Sequence, residues 1–190
     1  MDTTSKKIFL YSTCYYELNG LYHILLTEGY NVTKKYKPLI DINGDYDLII
    51  ISLSDEALLE WGRYIDMIIN IASSQQNVLL LVPEKICKMK VFLGICNIYS
   101  GMRSISEVSK AIYSIIYREK NKNNNINWLG LLNINQRLAA YRLANQQTIR
   151  GGKGLMSKKS HYYHRMSFIR ALGFDNKNIV MITMMLKYLL

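Results

Sequence analysis

The N-terminal part of the chain alternates short apolar runs with stretches whose apolar residues recur at helical spacing. Lys7–Tyr11 contains a compact apolar run that predicts a buried strand. Tyr15–Glu28 carries leucines at helical spacing, and Gly29 is the predicted end of that helix. Asp47–Leu53 is continuous and β-branched, which predicts a strand covered on both faces.

The same alternation continues after this strand. Ser54 or Asp55 is the predicted N-cap of a helix that runs to about Ser73. Asn77–Val82 is another continuous apolar run, which predicts a second fully buried strand that ends at Pro83.

A further strand is predicted within Lys90–Tyr99, and Ser106–Tyr117 is a predicted helix with one apolar face. Strands separated by helices of this length favour a parallel sheet that helices cover on both sides. Residues 1–117 are therefore expected to form a doubly wound, flavodoxin-like α/β domain.

The pattern changes after residue 117. Residues 118–127 are polar and rich in Asn, which is typical of a linker. Residues 128–190 show only helical spacing and predict a separate all-α domain, with its last helix from Asp175 to Leu190. The predicted helix caps there are Asn133 or Asn135, then Ser157, then Asp175 or Asn176.

Charge separates the two parts of the chain. The first 117 residues contain 11 Lys and Arg and 12 Asp and Glu, whereas the remaining 73 contain 13 and two. Such asymmetry indicates that the C-terminal part meets a polyanion, either nucleic acid or an anionic membrane. A basic surface that serves solubility alone is the alternative.

Several classes of protein and site are not expected. Cys14, Cys87 and Cys96 have no metal-ligand spacing, so neither a metal nor another cofactor is predicted. No signal peptide and no apolar run of ~20 residues are apparent, which favours a cytoplasmic protein without a membrane partner. No motif for phosphate binding or nucleophilic catalysis occurs, and Gly151–Gly154 is interpreted as a turn. We therefore expect no catalytic residues and no enzymatic activity.

The segment from Ser157 to Gly173 carries the strongest functional signal. A DNA-recognition helix needs a capped N-terminus, cations for phosphates and side chains along one face that reach the bases. Ser157 is the predicted cap, and Phe168, Ile169 and Leu172 are expected to be buried. Tyr162, Tyr163 and Met166 are expected to point largely outward.

This segment resembles the second half of the helix-turn-helix of LuxR/NarL/FixJ-type transcription regulators. Ser157, Lys159, Ser160, His164, Phe168 or Ile169, Leu172 and Gly173 match the family pattern. Leu132–Arg137 is similar to the opening helix of that domain, although the usual Glu is absent. The stretch between the two helices departs from the pattern, because Thr148–Gly154 is shorter and contains three glycines.

The resemblance implies double-stranded DNA as the partner and dimers as the assembly, either with a second copy or with another regulator of the type. The family's base-contacting positions fall on Tyr162, Tyr163 and Met166. Its phosphate-contacting positions fall on Lys158, Lys159, Ser160, Arg165 and Arg170.

An α/β domain before such a helix-turn-helix resembles the receiver domain of response regulators, but its phosphorylation chemistry is missing from the sequence. Ser12 and Thr13 stand where an acidic pair is needed, and Ser52 occupies the phosphoacceptor position. Asp55 could serve as acceptor only if the register shifted. No lysine is in register after the fifth strand, where Ser100, Gly101 and Arg103 stand instead.

This layout is similar to that of RcsA- and GadE-like auxiliary regulators, which implies a pseudo-receiver that does not depend on phosphorylation. Two alternatives remain open. The protein could act mainly by pairing with another regulator, with little DNA binding of its own. It could instead be a small α/β enzyme or ligand-binding protein with a basic tail, since this fold hosts many functions.

Overall fold

The structure is a computed structural model that describes residues 5–37, 42, 44–57, 61–75, 77–92, 95–117, 132–144 and 158–174. The chain divides into two compact units. The first comprises residues 1–56, 69–87 and 94–125, and the second comprises 57–68, 88–93 and 126–190. The predicted linker 118–127, the turn Gly151–Gly154, the cap Ser157 and the last helix, including its caps Asp175 or Asn176, lie outside the described residues.

Within the described residues, five strands form one parallel sheet in the order β2-β1-β3-β4-β5. This is the flavodoxin-like strand order, so the predicted doubly wound α/β fold is confirmed. The strands are β1 (Lys7–Ser12), β2 (Asn31–Tyr36), β3 (Leu48–Ser52), β4 (Val78–Val82) and β5 (Asn97–Ser100).

The burial of each strand explains whether it could be predicted from the sequence. Every residue of β3 and β4 is buried, and only Lys7 is exposed in β1. Such strands show continuous apolar runs because their side chains are buried on both faces of the sheet. β2 was not predicted, because it is a largely exposed edge strand that contains Lys34 and Lys35. Lysines on an edge strand discourage pairing with another chain.

Three helices follow strands in the N-terminal part, namely α1 (Tyr15–Thr27), α2 (Ile65–Ser74) and α3 (Ile105–Tyr117). α1 and α3 share one core with the sheet, where Leu25 and Ile112 are buried together with Leu79. Gly29 ends α1 with φ of +85°, as the sequence predicts. None of the described helices has the length and apolar character that a bilayer-spanning segment requires.

The helix predicted from Ser54 or Asp55 begins much later than expected. Ser54 and Asp55 lie in a turn, and α2 starts at Ile65 after a short 3-10 helix, Trp61–Tyr64. The predicted cap is wrong because the Ser54 hydroxyl is bonded to the carboxylate of Glu17 on α1. The strand predicted within Lys90–Tyr99 is confined to its last part, because Lys90–Phe92 forms another 3-10 helix.

Two helices are described in the C-terminal part, α4 (Ile134–Ala144) and α5 (Lys158–Ala171), and both belong to the second unit. The second unit also contains residues 57–68 and 88–93, which the sequence analysis assigned to the N-terminal domain. There the rings of Trp61 and Phe92, both fully buried, meet at 5.8 Å in an edge-to-face arrangement.

Candidate nucleic-acid interface

The helix α5 carries all of the predicted DNA contacts, and its packing side is well defined. Phe168, Ile169 and Leu172 are buried, as the sequence analysis expects. Gly173 ends the helix with φ of +91°, which favours glycine. The amide of Phe174 then donates to the carbonyl of Ile169 at 3.1 Å, which satisfies one of the last carbonyl groups of the helix.

The preceding helix, α4, is capped and tied to α5 by side-chain hydrogen bonds. The Asn133 side chain accepts a hydrogen bond from the Gln136 amide, and the Gln136 side chain accepts one from the Asn133 amide, both at 2.9 Å. This reciprocal pair is a capping box. It selects Asn133 over Asn135 as the cap. The Gln136 side-chain amide also donates to the Ser167 hydroxyl of α5 at 3.0 Å.

The end of α5 lies against the segment 88–92 within the second unit. The amide of Lys90 donates to the carbonyl of Leu172 at 3.0 Å. A Cβ atom at Gly173 would collide with the backbone carbonyl of Lys88. Glycine is therefore required here both by the positive φ angle and by the close approach of another backbone segment.

The opposite side of α5 carries Tyr163 and Arg170, and Tyr162 lies at the boundary of the buried side, since it precedes Ile169 by two turns. Tyr162 and Tyr163 are 58% and 68% exposed, and Arg170, two turns after Tyr163, is exposed as well. The Tyr163 ring meets the half-buried His164 ring edge-on, with 5.8 Å between centroids. α5 thus combines a buried apolar side with an accessible tyrosine and a cation on the opposite side, and a second accessible tyrosine at the boundary.

Met166 lies on the same side of the helix as Tyr162, Tyr163 and Arg170, three or four residues from each, but it is buried. Only 5% of its surface is accessible, so the expectation that it points outward is wrong. Its side chain is apolar and flexible, and such a chain gains free energy when it fills an apolar interior. Tyrosine bears a hydroxyl that favours water, which explains why its neighbours Tyr162 and Tyr163 remain accessible.

The remaining predicted phosphate contacts differ in accessibility. Ser160 and Arg165 are half-buried, and the Nε atom of Arg165 is buried without a hydrogen-bond partner among the described residues. Lys158 and Lys159 form the first turn of α5, but their side chains lie outside the described part. The helix contains four Lys and Arg residues and no acidic residue.

The receiver-like positions lie at the carboxyl edge of the sheet, where doubly wound proteins bind ligands. Ser52 ends β3 directly opposite Ser12 of β1, and both are fully buried. Ser52 Oγ has no partner among the described residues, whereas Ser12 Oγ accepts from the Cys14 amide at 3.0 Å. Ser12 also donates to the Glu17 carboxylate at 3.4 Å.

Glu17, an acidic group at this edge, was not among the residues predicted from the sequence. It stands in the first turn of α1 and accepts hydrogen bonds from both Ser12 and Ser54. Its position just after the first strand, at the edge where this fold binds ligands, was the available signal. Asp55 is exposed, and no group of three or more His, Cys, Asp or Glu suited to a metal occurs within the described ranges.

Comparison with known proteins shows a similarity in fold to a solved structure. No protein-family model and no curated protein sequence matches the chain. Among solved structures, the chain is similar to RcsB in a complex of two RcsB dimers bound to two parallel DNAs. The TM-score is 0.58 at 14% sequence identity, and the similarity covers 98% of this chain and 100% of that one.

Two further similarities are weaker. Full-length FixJ from B. japonicum gives a TM-score of 0.43 at 12% identity over 99% of this chain and 100% of that one. The RcsB response regulator of Salmonella typhimurium gives 0.41 at 13% identity over 94% and 97%. Only the first RcsB structure bears on the fold, and it agrees with the strand order in assigning a receiver-like α/β domain to this chain.

Proposed function

We propose that this protein is a DNA-binding transcription regulator of the LuxR type, in which α5 enters the major groove of promoter DNA. The observation that carries the proposal is the two-sided character of α5. Phe168, Ile169 and Leu172 are buried, whereas Tyr163 and Arg170, on the opposite side of the helix, are exposed. The major groove of B-DNA admits one α-helix whose outward side chains contact the base edges.

The charge at the start of α5 supports a polyanionic ligand. Lys158 and Lys159 occupy the first turn, where the helix macrodipole is positive. A cation there costs about 0.3–1 kcal/mol, and α5 has no acidic residue to offset this cost. A phosphate group at the helix N-terminus would turn the same arrangement into a favourable one. A sequence that breaks a local rule in this way often marks a functional site.

Each predicted contact residue has a role in this proposal. Tyr162 and Tyr163 contact bases through thymine methyl groups and groove shape, since tyrosine lacks the paired donors that arginine offers. Lys158, Lys159, Ser160, Arg165 and Arg170 contact phosphates. Met166 is buried and does not contact the bases; its packing helps to hold α5 in position.

The proposed organisation is a pseudo-receiver of residues 1–117, a linker of residues 118–127 and a helix-turn-helix domain of residues 128–190. RcsB shares the fold, and its structure contains dimers bound to DNA. This supports double-stranded DNA and a dimeric assembly for the present chain, acting in the cytoplasm. Two-fold dimers suit operators that contain two half-sites.

Regulation in this proposal does not depend on phosphorylation. Ser52, at the acceptor position, is fully buried, so a phosphate donor cannot reach its hydroxyl without opening of the sheet edge. The carboxylate of Glu17 already accepts hydrogen bonds from Ser12 and Ser54 at the same edge. A phosphoryl group placed there would face a like charge.

Binding of genomic fragments by the purified full-length protein tests the proposal. We expect enrichment of a shared site, with affinity that falls steeply as salt increases because phosphate contacts release counterions. Arg170→Glu should weaken binding to every sequence, and Tyr163→Ala should relax the sequence preference. Lys85→Glu makes the same charge change at an exposed position of the first unit and should have little effect.

The proposal fails if the wild-type protein does not retain DNA of any sequence at low salt. It also fails if Arg170→Glu and Lys85→Glu weaken binding equally, since the effect would then reflect net charge alone. Circular dichroism of each variant ensures that a loss of binding does not come from unfolding.

A second candidate function, that of a partner-dependent interaction protein, is favoured by exposed tyrosines in the first unit. Tyr113 and Tyr117 lie one turn apart on α3, with rings 4.5 Å apart and more than half of each side chain exposed. Tyrosine is enriched at protein interfaces. If Tyr113→Ala/Tyr117→Ala converted a dimer into a monomer and abolished DNA retention, the protein would depend on this pairing. If the double variant kept the oligomeric mass and the DNA binding of the wild type, pairing through these tyrosines would be excluded.

A further inference from the structure

A cavity of about 180 Å³ lies between α1 and α3 at the carboxyl end of the sheet, entirely within the first unit. Its apolar wall includes Leu21, Ile24, Leu25, Leu81, Val108 and Ile112. The wall is part of the core, since Leu25, Leu81 and Ile112 are at most 2% exposed. The carboxyl end of the strands is also where proteins of this fold bind their ligands.

Gly20 lines the cavity from the middle of α1, and nothing in the described fold requires glycine there. Its φ angle is not positive, and an added Cβ would meet no described heavy atom within 4 Å. Glycine in a helix interior costs roughly 0.8–1.0 kcal/mol relative to alanine. Gly20 is exposed and lines the cavity, so a large side chain at this position would occupy space that is open to a ligand.

Two groups of opposite charge, Glu17 and Arg103, line the same cavity. Glu17 accepts hydrogen bonds from Ser12 and Ser54, and a carboxylate offers about four lone-pair sites, so it has capacity for a further donor. Arg103 donates from Nη1 to Glu107 at 2.7 Å, and a guanidinium carries five N–H donors. The cavity thus offers an acceptor for a cation and donors for an anion beside an apolar interior.

We propose that this cavity binds an apolar α-amino acid, with the ammonium group at Glu17, the carboxylate at Arg103 and the side chain between α1 and α3. A zwitterion can bind Glu17 and Arg103 at once, whereas an amine would bind only Glu17, and a fatty acid would bind only Arg103, which already pairs with Glu107. The volume fits the side chain, since an apolar protein cavity of about 150 Å³ accommodates benzene. The site is separate from α5, so the proposal does not rest on DNA binding.

Isothermal titration calorimetry of the full-length protein, without DNA, tests the proposal directly. We expect one equivalent of L-leucine, L-isoleucine or L-phenylalanine to bind. 4-Methylpentanoate lacks the ammonium group and isoamylamine lacks the carboxylate, so each should bind at least about tenfold more weakly than L-leucine. Glycine, which has no side chain to bury, should not bind.

Three variants locate the site. Gly20→Leu should raise the melting temperature, because it improves helix propensity, and should abolish L-leucine binding. A stabilised protein that has lost binding cannot be explained by misfolding. Glu17→Gln and Arg103→Gln should each weaken L-leucine binding about tenfold or more, whereas Lys110→Gln, at an exposed position of α3 outside the cavity, should not.

Three outcomes would overturn the proposal. One is that none of the three amino acids binds at 10 mM, about ten times a weak dissociation constant of 1 mM. Another is equal binding of L-leucine, 4-methylpentanoate and isoamylamine, which would reveal an apolar cavity that does not recognise a zwitterion. The third is undiminished L-leucine binding by Gly20→Leu, which would place the ligand elsewhere. DNA retention, measured separately, decides the proposed function whatever the result here.

Discussion

Gly173 lies directly against the backbone carbonyl of Lys88, so that a Cβ atom at this position would collide with it. The contact joins the end of α5 to the segment 88–92, where the Lys90 amide also donates to the Leu172 carbonyl at 3.0 Å. The orientation of the helix proposed to bind DNA thus depends in part on residues far earlier in the chain.

Gly173→Ala should therefore destabilise the protein by more than the usual cost of a positive φ angle. Gly29 is the matched control, because it ends α1 with a φ of +85° but has open space around an added Cβ. We expect about 1 kcal/mol for Gly29→Ala from backbone strain and clearly more for Gly173→Ala, which adds the collision. Urea unfolding of both variants measures the difference. Equal losses would mean that the Lys88 contact is not formed in solution.

The capping box of α4 gives a second expectation. Asn133→Ala removes the acceptor for the Gln136 amide and should cost about 1 kcal/mol of stability. Asn135→Ala, two residues later in the first turn of the helix, should change stability by less than about 0.5 kcal/mol. Thermal unfolding followed by circular dichroism compares the two. A larger loss of stability for Asn135→Ala than for Asn133→Ala would mean that Asn133 is not the cap.

The α/β fold could be predicted from the sequence because a strand that is buried on both faces has a continuous run of apolar residues. The runs in β1, β3 and β4 are continuously apolar, and each was located to within a residue or two. β2 was missed because it lies at the sheet edge and is mostly exposed, so no apolar period marks it. Its strand conformation comes from pairing with β1, which is a tertiary effect.

Side-chain roles were harder to predict than elements. Serine is a residue type that favours helix caps, but the hydroxyl of Ser54 is bonded to Glu17, 37 residues earlier. Met166 shares a helix with two exposed tyrosines and is nevertheless buried. The ends of α4 and α5 were predictable because the capping side chain of Asn133 and the positive φ of Gly173 act locally.

The serine pair Ser12 and Ser52 provides a third expectation, since the same residue type occupies two facing positions with different bonding. Ser52→Ala removes a buried hydroxyl without a described partner and should be neutral or stabilising by up to about 1 kcal/mol. Ser12→Ala removes the acceptor for the Cys14 amide and should destabilise by about 1–2 kcal/mol. Denaturant unfolding measures both. Destabilisation by Ser52→Ala equal to that of Ser12→Ala would show that Ser52 has a partner, such as a bound water.

Ser52→Asp, which restores the acidic residue type of a receiver, should not restore a receiver. The position is fully buried, and burial of an unpaired carboxylate is costly, so we expect a loss of several kcal/mol or a carboxyl group that stays protonated near neutral pH. Unfolding at pH 5 and pH 8 tests this expectation, because the loss of stability caused by Ser52→Asp should grow as the pH rises and the carboxyl group must ionise. A pH-independent variant as stable as the wild type would mean that water reaches this edge.

The last expectation concerns Asp47, which joins the starts of β1 and β3. Its carboxylate accepts from the Lys7 amide at 2.8 Å and from the Lys6 ammonium at 3.0 Å. Partial burial acts to raise the pKa of Asp47, but these hydrogen bonds and the nearby lysine charges outweigh it, and the net effect is a lowered pKa. A lowered pKa in the folded state means that the carboxylate, and not the acid, is favoured by folding.

The stabilisation by Asp47 should therefore be complete above the unfolded pKa of about 3.9 and disappear as the pH falls through the lower folded value. The side chain is 36% exposed, so solvent screening limits the effect of Asp47→Asn to at most about 1 kcal/mol at pH 7. Urea unfolding at pH 7 and pH 3 measures it, with Asp45→Asn, two residues earlier, as the control. A difference between Asp47→Asn and wild type that persisted unchanged at pH 3 would mean that the charge of Asp47 does not hold the two strands together.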